Sequence, residues 1–92
     1  MNTTHNLKLI DGKFDPNTAA MLLNDLINSK INFHKTELFK NKEQFGADLL
    51  LSEQRITALK TLQIELKSII EHAMIGEYKI QLNATINMEF VK

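Results

Sequence analysis

The sequence predicts an α+β domain of two layers in the order β-α-α-β, with a helical hairpin packed on one face of a small antiparallel sheet. Three observations predict this class. Residues 78–90 alternate apolar and polar side chains, residues 16–32 and 53–75 repeat apolar side chains every three or four positions, and a short apolar run lies at 6–10. A period of two is typical of a half-buried strand, and steps of three and four are typical of an amphipathic helix. The 92 residues suffice for one domain and are too few for two independent cores.

The composition excludes several classes of function. Eleven basic residues balance eleven acidic ones, so no net charge attracts nucleic acid or an anionic membrane. The sequence has no cysteine, which removes disulfides, thiolate metal sites and cysteine nucleophiles. No apolar run approaches the length of a membrane span, and the first residues, MNTTHNLK, lack the apolar centre of a signal peptide. We therefore expect a cytoplasmic protein that does not act at a membrane.

The first strand is expected at Asn6–Ile10, with Leu7 and Leu9 on one face. Residues 1–5 are polar and are expected to fray. Asp11-Gly12 follows as a turn pair, because glycine tolerates the backbone conformations that tight turns require. This strand is therefore predicted to be only five residues long.

The first helix begins with Asp15 as a cap and Pro16 at the first helical position, where a missing N–H costs nothing. Its periodic pattern runs to residue 32 and is compatible with an extension to about residue 40. Residues 33–51 are otherwise expected to be irregular or partly helical, because Gly46 and Asp48 interrupt the apolar pattern. The stripe that this helix is expected to bury includes Ala20, Leu23, Ile27 and Ile31.

The second helix is expected at 53–75, with Ser52 as its N-cap and Gly76 as a left-handed C-cap. Apolar residues repeat along it in a heptad-like seam that is interpreted as the core contact with the first helix. The seam consists of Leu59, Leu62, Leu66, Ile69 and Ala73.

The stretch Tyr78–Phe90 is interpreted as one straight strand. A hairpin with Asn83-Ala84 as its turn would set Leu82 opposite Thr85, an apolar residue against a polar one on the same face. A single strand keeps all its apolar side chains together and is about 40 Å long, against about 17 Å for the first strand. Most of its length would then lack a partner within the chain.

A second copy of the chain is the predicted partner of this strand. Two copies pair antiparallel across a two-fold axis near Asn83–Thr85, and this dimerisation completes a four-stranded sheet. The alternative is a monomer in which the strand bends and residues 40–51 cover its far half. The predicted dimer interface consists of Ile80, Leu82, Ala84, Ile86 and Met88. The predicted exposed binding face consists of Gln81, Asn83, Thr85 and Asn87.

The sequence offers no pattern for catalysis, for a cofactor or for a metal. His5, His34 and His72 do not have the spacing of metal ligands, and the glycines are too isolated to cradle a phosphate. The predicted function is therefore a non-enzymatic, homodimeric protein-interaction module that binds itself and another protein. A metal-dependent activity around His34 is the third hypothesis.

A small DNA-binding regulator is the second hypothesis. Gln81, Asn83, Thr85 and Asn87 have side chains that can read base edges, and paired strands can enter a major groove. Phosphate contacts supply most of the affinity for DNA, however, and Glu89 flanks this face in a chain without net charge. Nucleic acid is therefore not the partner that the sequence favours.

Several segments together resemble a small family of uncharacterised bacterial proteins of the Bacteroidetes type. They are LIDGKFDP, then LINSKINFH with a following Phe-Gly, then a helix preceded by Ser52 and a final strand. The resemblance covers nearly the whole chain. It implies a short stand-alone protein with no known activity, and it carries over no functional residue.

Overall fold

The computed structural model describes residues 3–40 and 46–92. The elements follow in the order β1 (Thr4–Phe14), α1 (Pro16–Lys40), α2 (Gly46–Ile75) and β2 (Ile80–Glu89). The two strands form an antiparallel sheet, and the two helices pack against each other and against one face of that sheet. The predicted α+β class and its β-α-α-β order are confirmed. Neither described helix is long and apolar enough to cross a membrane.

The strand β1 is more than twice as long as predicted. It begins at Thr4, continues through Asp11-Gly12 without a turn and ends at Phe14. It pairs with the whole of β2, from Thr4 opposite Glu89 to Phe14 opposite Ile80. The predictions of fraying at residues 4 and 5 and of a turn at 11–12 are therefore wrong. One edge of β2 is fully paired within the chain, so the expectation that β1 covers less than half of β2 is also wrong.

A β-bulge at Leu9 explains why the pattern of β1 misleads. Lys8 pairs with Thr85 and Ile10 pairs with Ala84, which leaves Leu9 as the extra residue. Odd-numbered residues such as Leu7 face the helical side before the bulge, and even-numbered residues face that side after it. Strict alternation of apolar and polar residues therefore predicts a strand that ends at Ile10, although the ladder with β2 continues to Phe14.

The start of α1 follows the capping prediction. Asp15 Oδ1 accepts a hydrogen bond of 2.7 Å from the Thr18 N–H, and the Asp15 carbonyl accepts one of 3.0 Å from Ala19. The first of these bonds is the main cause that holds the pKa of the Asp15 carboxyl below its ordinary value of 3.8. The helix continues to Lys40, which is the longer of the two predicted extents.

The helix α2 begins seven residues earlier than predicted, at Gly46 instead of residue 53. Ser52 lies inside the helix and does not cap it. Residues 33–40 belong to α1 and residues 46–51 to α2, so the expected irregular segment is helical where it is described, while 41–45 lie outside the described residues. Gly46 stands at the helix start, where glycine costs little, and the following Ala-Asp-Leu-Leu-Leu contains good helix formers. The composition was therefore a better guide than the interrupted apolar pattern.

The end of α2 is a Schellman motif centred on Glu77. The Tyr78 N–H donates to the Ala73 carbonyl at 2.9 Å, and the Glu77 N–H donates to the Met74 carbonyl at 3.2 Å. The left-handed residue is Glu77, with φ of 58°, and not Gly76 as predicted. A Cβ atom at Gly76 would collide with the Tyr78 ring, so that exposed side chain would have to move.

The core is small and lies at one end of the sheet. Ala19, Leu66 and Ile70 form its buried centre, and the two strands reach it through side chains at the Phe14–Ile80 end. Among the described residues no large side chain is fully buried. The radius of gyration is 16.7 Å, whereas a compact chain of this length has about 12 Å. The molecule is therefore open, and the helices cover only part of the sheet.

We predict that Glu77→Gly stabilises the protein. The substitution removes the steric cost of a left-handed side-chain-bearing residue, which is about 1 kcal/mol. Denaturant unfolding followed by circular dichroism measures the gain in the free energy of unfolding. Gly76→Ala is the matched control and should not give this gain, because it leaves the left-handed Glu77 in place and forces the exposed Tyr78 ring to move. A loss of stability in Glu77→Gly contradicts the assignment of the motif.

We predict that Asp15→Asn lowers stability near neutral pH and that this difference disappears in acid. The amide can still cap the helix but cannot become negatively charged. Because the folded pKa of Asp15 is lowered, its stabilisation is complete above the unfolded pKa and is lost as the pH falls through the folded pKa. Urea midpoints of both proteins, compared from about pH 6 to about pH 2, measure this dependence. A difference that stays constant over this range contradicts the prediction.

Candidate functional site

The two strands each have one edge that no described strand pairs. Beyond the end of the ladder, the Phe90 N–H donates to the Thr3 carbonyl at 2.8 Å. Backbone groups of successive residues point to opposite sides of a strand. The even-numbered residues of β2 therefore turn their N–H and C=O groups toward β1, and the odd-numbered residues turn theirs toward the free edge. The N–H and C=O groups that no described strand pairs are those of Gln81, Asn83, Thr85, Asn87 and Glu89.

The free edge of β2 carries little protection against association. The strand has ten regularly paired residues, no proline and no bulge, and Glu89 at its end is its only charged residue. The strand β1 differs, because it contains the bulge at Leu9 and the charged residues Lys8 and Asp11. Bulges and charged side chains are common devices against unwanted strand pairing. The asymmetry marks β2 as the edge that remains available.

The apolar face of the sheet is covered at one end only. Ile80 and Leu82 pack against the core, and Ala84 is half-buried. Further along β2, Ile86 is 43% exposed and Met88 is 42% exposed. The five residues predicted to form a dimer interface thus share one face, with three under or beside the helices and two open. The alternative of a monomer with its far half covered by residues 40–51 rests in part on residues 41–45, which lie outside the described residues.

The uncovered face continues past β2 and across to β1. Phe90 is exposed, and its ring lies 5.0 Å from the ring of His5 between centroids. Leu7, opposite Ile86, is exposed as well. Apolar residues that adjoin one another in this way form a patch, unlike the isolated apolar residues that any surface carries. We call the set Leu7, Ile86, Met88 and Phe90 the open half-sheet.

The helices carry two apolar grooves that the sequence did not predict. One groove, of about 290 Å³, lies between β1 and α1, with Leu9 and Ile10 on one side and Leu22 and Leu26 on the other. The second, of about 210 Å³, lies between the helices. Its apolar lining consists of Leu23, Ile27, Leu62, Leu66 and Ile69.

The second groove continues the core toward solvent. Leu66 belongs to both the core and the groove, while Leu62 is 47% exposed and Ile69 is 59% exposed. The predicted seam of α2 is therefore buried only in part. Periodicity identifies the apolar stripe of a helix but does not say which stretch of the stripe faces its own chain.

The opposite face of the sheet is polar. Gln81, Asn83, Thr85 and Asn87 are exposed on it, and their role in binding stays a prediction. Across the ladder Asn83 faces Asp11, and its amide nitrogen, in the orientation that allows donation, lies 2.9 Å from Asp11 Oδ1. The ion pair between Lys8 and Asp11 has an N–O distance of 3.4 Å and is exposed, so it adds little stability.

The charges on this polar face do not favour DNA. Lys8 and Lys13 point to the same side as Asp11 and Glu89, so the face has no concentrated positive field. Phosphate binding requires such a field, because the backbone contacts supply most of the affinity. The arrangement suits hydrogen bonding to water or protein better than it suits a nucleic acid.

The histidines lie in unrelated surroundings. His34 is only 6% exposed, and its Nε2 atom has no hydrogen-bond partner among the described residues. His72 Nδ1 lies 2.9 Å from the Ser68 carbonyl on its own helix. Among residues 3–40 and 46–92, no three metal-binding side chains converge. The hypothesis of a metal-dependent activity at His34 therefore gains no ligand set from this part of the chain.

Comparison of the chain with models of protein families, with curated proteins and with solved structures found no match. The functional argument therefore depends on the free edge of β2, the open half-sheet and the two grooves.

We predict that deletion of Leu9 increases self-association. The deletion removes the bulge and leaves all other β1–β2 pairs in register, so the edge of β1 becomes regular and able to pair. Leu9→Ala is the matched control, because it removes the side chain but keeps the bulge. Light scattering should give a larger mass for the deletion variant than for the control. Equal masses contradict a protective role of the bulge.

Proposed function

We propose that this chain is a homodimeric protein-interaction module that assembles through the free edge of β2. The observation that carries the proposal is a ten-residue strand with regular geometry, one charged residue at its end and an edge that no described strand pairs. A two-stranded sheet is marginal by itself, and pairing with an identical strand gives it four strands. The cytoplasmic setting expected in the sequence analysis is part of this proposal.

The surface area of the single chain supports the proposal. The chain exposes 7634 Å², whereas a compact monomer of this mass exposes about 5,500 Å². The excess is about 2,100 Å² per chain, which is within the range that one subunit of an obligate dimer buries. We therefore expect a chain with so small a core to gain stability by burying a surface of this area against a partner.

Symmetry limits how two β2 strands can pair. A two-fold axis perpendicular to the sheet keeps the apolar faces of both copies on the same side, and in an antiparallel ladder it lies midway between a residue and its own copy. An axis through Ala84 pairs Ile80 with the partner's Met88 and Leu82 with the partner's Ile86. An axis at Asn83 or Thr85 shifts these pairs by two residues and also preserves the faces. The proposed dimer interface is therefore the set Ile80, Leu82, Ala84, Ile86 and Met88.

A DNA-binding regulator that uses the polar face is the competing proposal. Its support is limited to the hydrogen-bonding side chains of Gln81, Asn83, Thr85 and Asn87. The mixed charges around them favour protein partners, so we propose this face as a surface for another protein in the dimer.

We predict that Thr85→Pro weakens the dimer. By the alternation along β2, the Thr85 N–H points to the free edge, so proline removes a hydrogen-bond donor of the intermolecular ladder and spares the ladder with β1. Light scattering at micromolar concentration should give twice the chain mass of 10.6 kDa for the parent protein. The variant should have a smaller average mass at the same concentration.

Asn6→Pro is the matched control, because the Asn6 N–H points to the other free edge, that of β1. It introduces the same residue into the same sheet and should leave the mass of the dimer unchanged. A parent mass equal to one chain contradicts the proposed function. Equal loss of mass in both variants contradicts the choice of β2 as the interface.

A further inference from the structure

Edge pairing alone would leave most of the apolar surface of the dimer exposed. The open half-sheet of Leu7, Ile86, Met88 and Phe90 would still face solvent, because strand pairing extends the sheet but does not cover its face. The groove between the helices would stay open as well, with Leu62 and Ile69 exposed. These two apolar surfaces belong to the same chain, and each lacks a cover.

The symmetry of the proposed dimer brings the two surfaces together. When two copies of β2 pair antiparallel, the end that the helices cover in one copy lies beside the end that is exposed in the other. Ile80 and Leu82 carry their own helical hairpin, and an axis through Ala84 places them opposite the partner's Met88 and Ile86. Neighbouring strands are about 4.8 Å apart, whereas a helix with its side chains is about 10 Å wide. The hairpin of one copy is thus within one strand of the open half-sheet of the other.

The groove adjoins the part of the core that this contact would reach. Leu23, Ile27 and Leu66 line it and also belong to the core packing around Ile80 and Leu82. The groove is therefore the solvent side of the same core that rests on these two β2 residues. The side chains that a two-fold partner brings there are those of the open half-sheet.

We infer that the helical hairpin of each protomer covers the open half-sheet of its partner, with Leu62 and Ile69 as the contacting helix residues. The inference rests on the proposed dimer and specifies its second layer. The occupant of the groove is a second copy of this chain, because a two-fold axis makes both contacts at once. The excess surface of about 2,100 Å² per chain is also larger than the roughly 800 Å² that a standard interface buries on each side.

The absence of cysteine allows a direct test by thiol reactivity. Met88→Cys places a thiol in the open half-sheet, and the neighbouring Asn87→Cys places one on the polar face as the matched control. In the dimer, the Met88→Cys thiol should react with a soluble disulfide reagent at least about tenfold more slowly than the control, since it reacts only when the interface opens. On the helices, Ile69→Cys should be protected in the same way, with the exposed Ile64 as the control position.

A dilution series separates protection by the partner from protection within the chain. Protection of Met88→Cys and Ile69→Cys should disappear at the concentration where light scattering shows a single chain. Equal reactivity of Met88→Cys and Asn87→Cys in a sample with dimer mass overturns this inference and leaves the edge-paired dimer intact. Protection that persists in the single chain also overturns it. A single-chain mass at all concentrations overturns the proposed function itself.

Discussion

The pairing of β1 with β2 is the contact on which the rest of the structure depends. It joins the residues before α1 to those after α2 and forms the sheet face against which the helical hairpin packs. A sheet of two strands nevertheless has two free edges and two faces, and one helical hairpin covers a fraction of one face. The small core, the open half-sheet and the apolar grooves all follow from this geometry, since the described residues supply no third strand and no third helix.

The two edges of this sheet are unequal, and the inequality has a local cause. Leu9 adds one residue to β1, which twists that strand and interrupts its regular ladder. Charged residues stand on both sides of the bulge in β1, whereas the interior of β2 carries none. A chain that associates through one edge must keep the other from pairing, because two active edges produce open-ended assemblies. The position of the bulge is therefore consistent with an assembly that stops at two copies.

The sequence was sufficient for the order of the elements, for the final strand and for the start of α1, because these depend on local periodicity and on the Asp15 cap. The final strand is shorter than predicted, since it runs from Ile80 to Glu89 and not from Tyr78 to Phe90. The sequence was insufficient where distant contacts decide. The extent of β1 depends on a change of phase at Leu9 that only its partner strand reveals. The open groove was missed because Leu62 and Ile69 have the spacing of core residues. Periodicity shows that such side chains need to be buried, but it does not identify the chain that buries them.

The two strands stand before and after the helical hairpin in the sequence, and this order also constrains how the protein folds. Phe14 and Ile80 meet at the closed end of the sheet although the whole helical hairpin separates them in sequence. Contacts between such distant residues carry a loop-closure cost and form slowly, whereas helices form from neighbouring residues. During synthesis β1 therefore has no partner strand until β2 has left the ribosome. In that interval its leucines are exposed to other nascent chains, and the bulge at Leu9 has not yet formed, because it exists only in the pair with β2. The charged residues of β1, Lys8, Asp11 and Lys13, are then the features that oppose pairing with another chain.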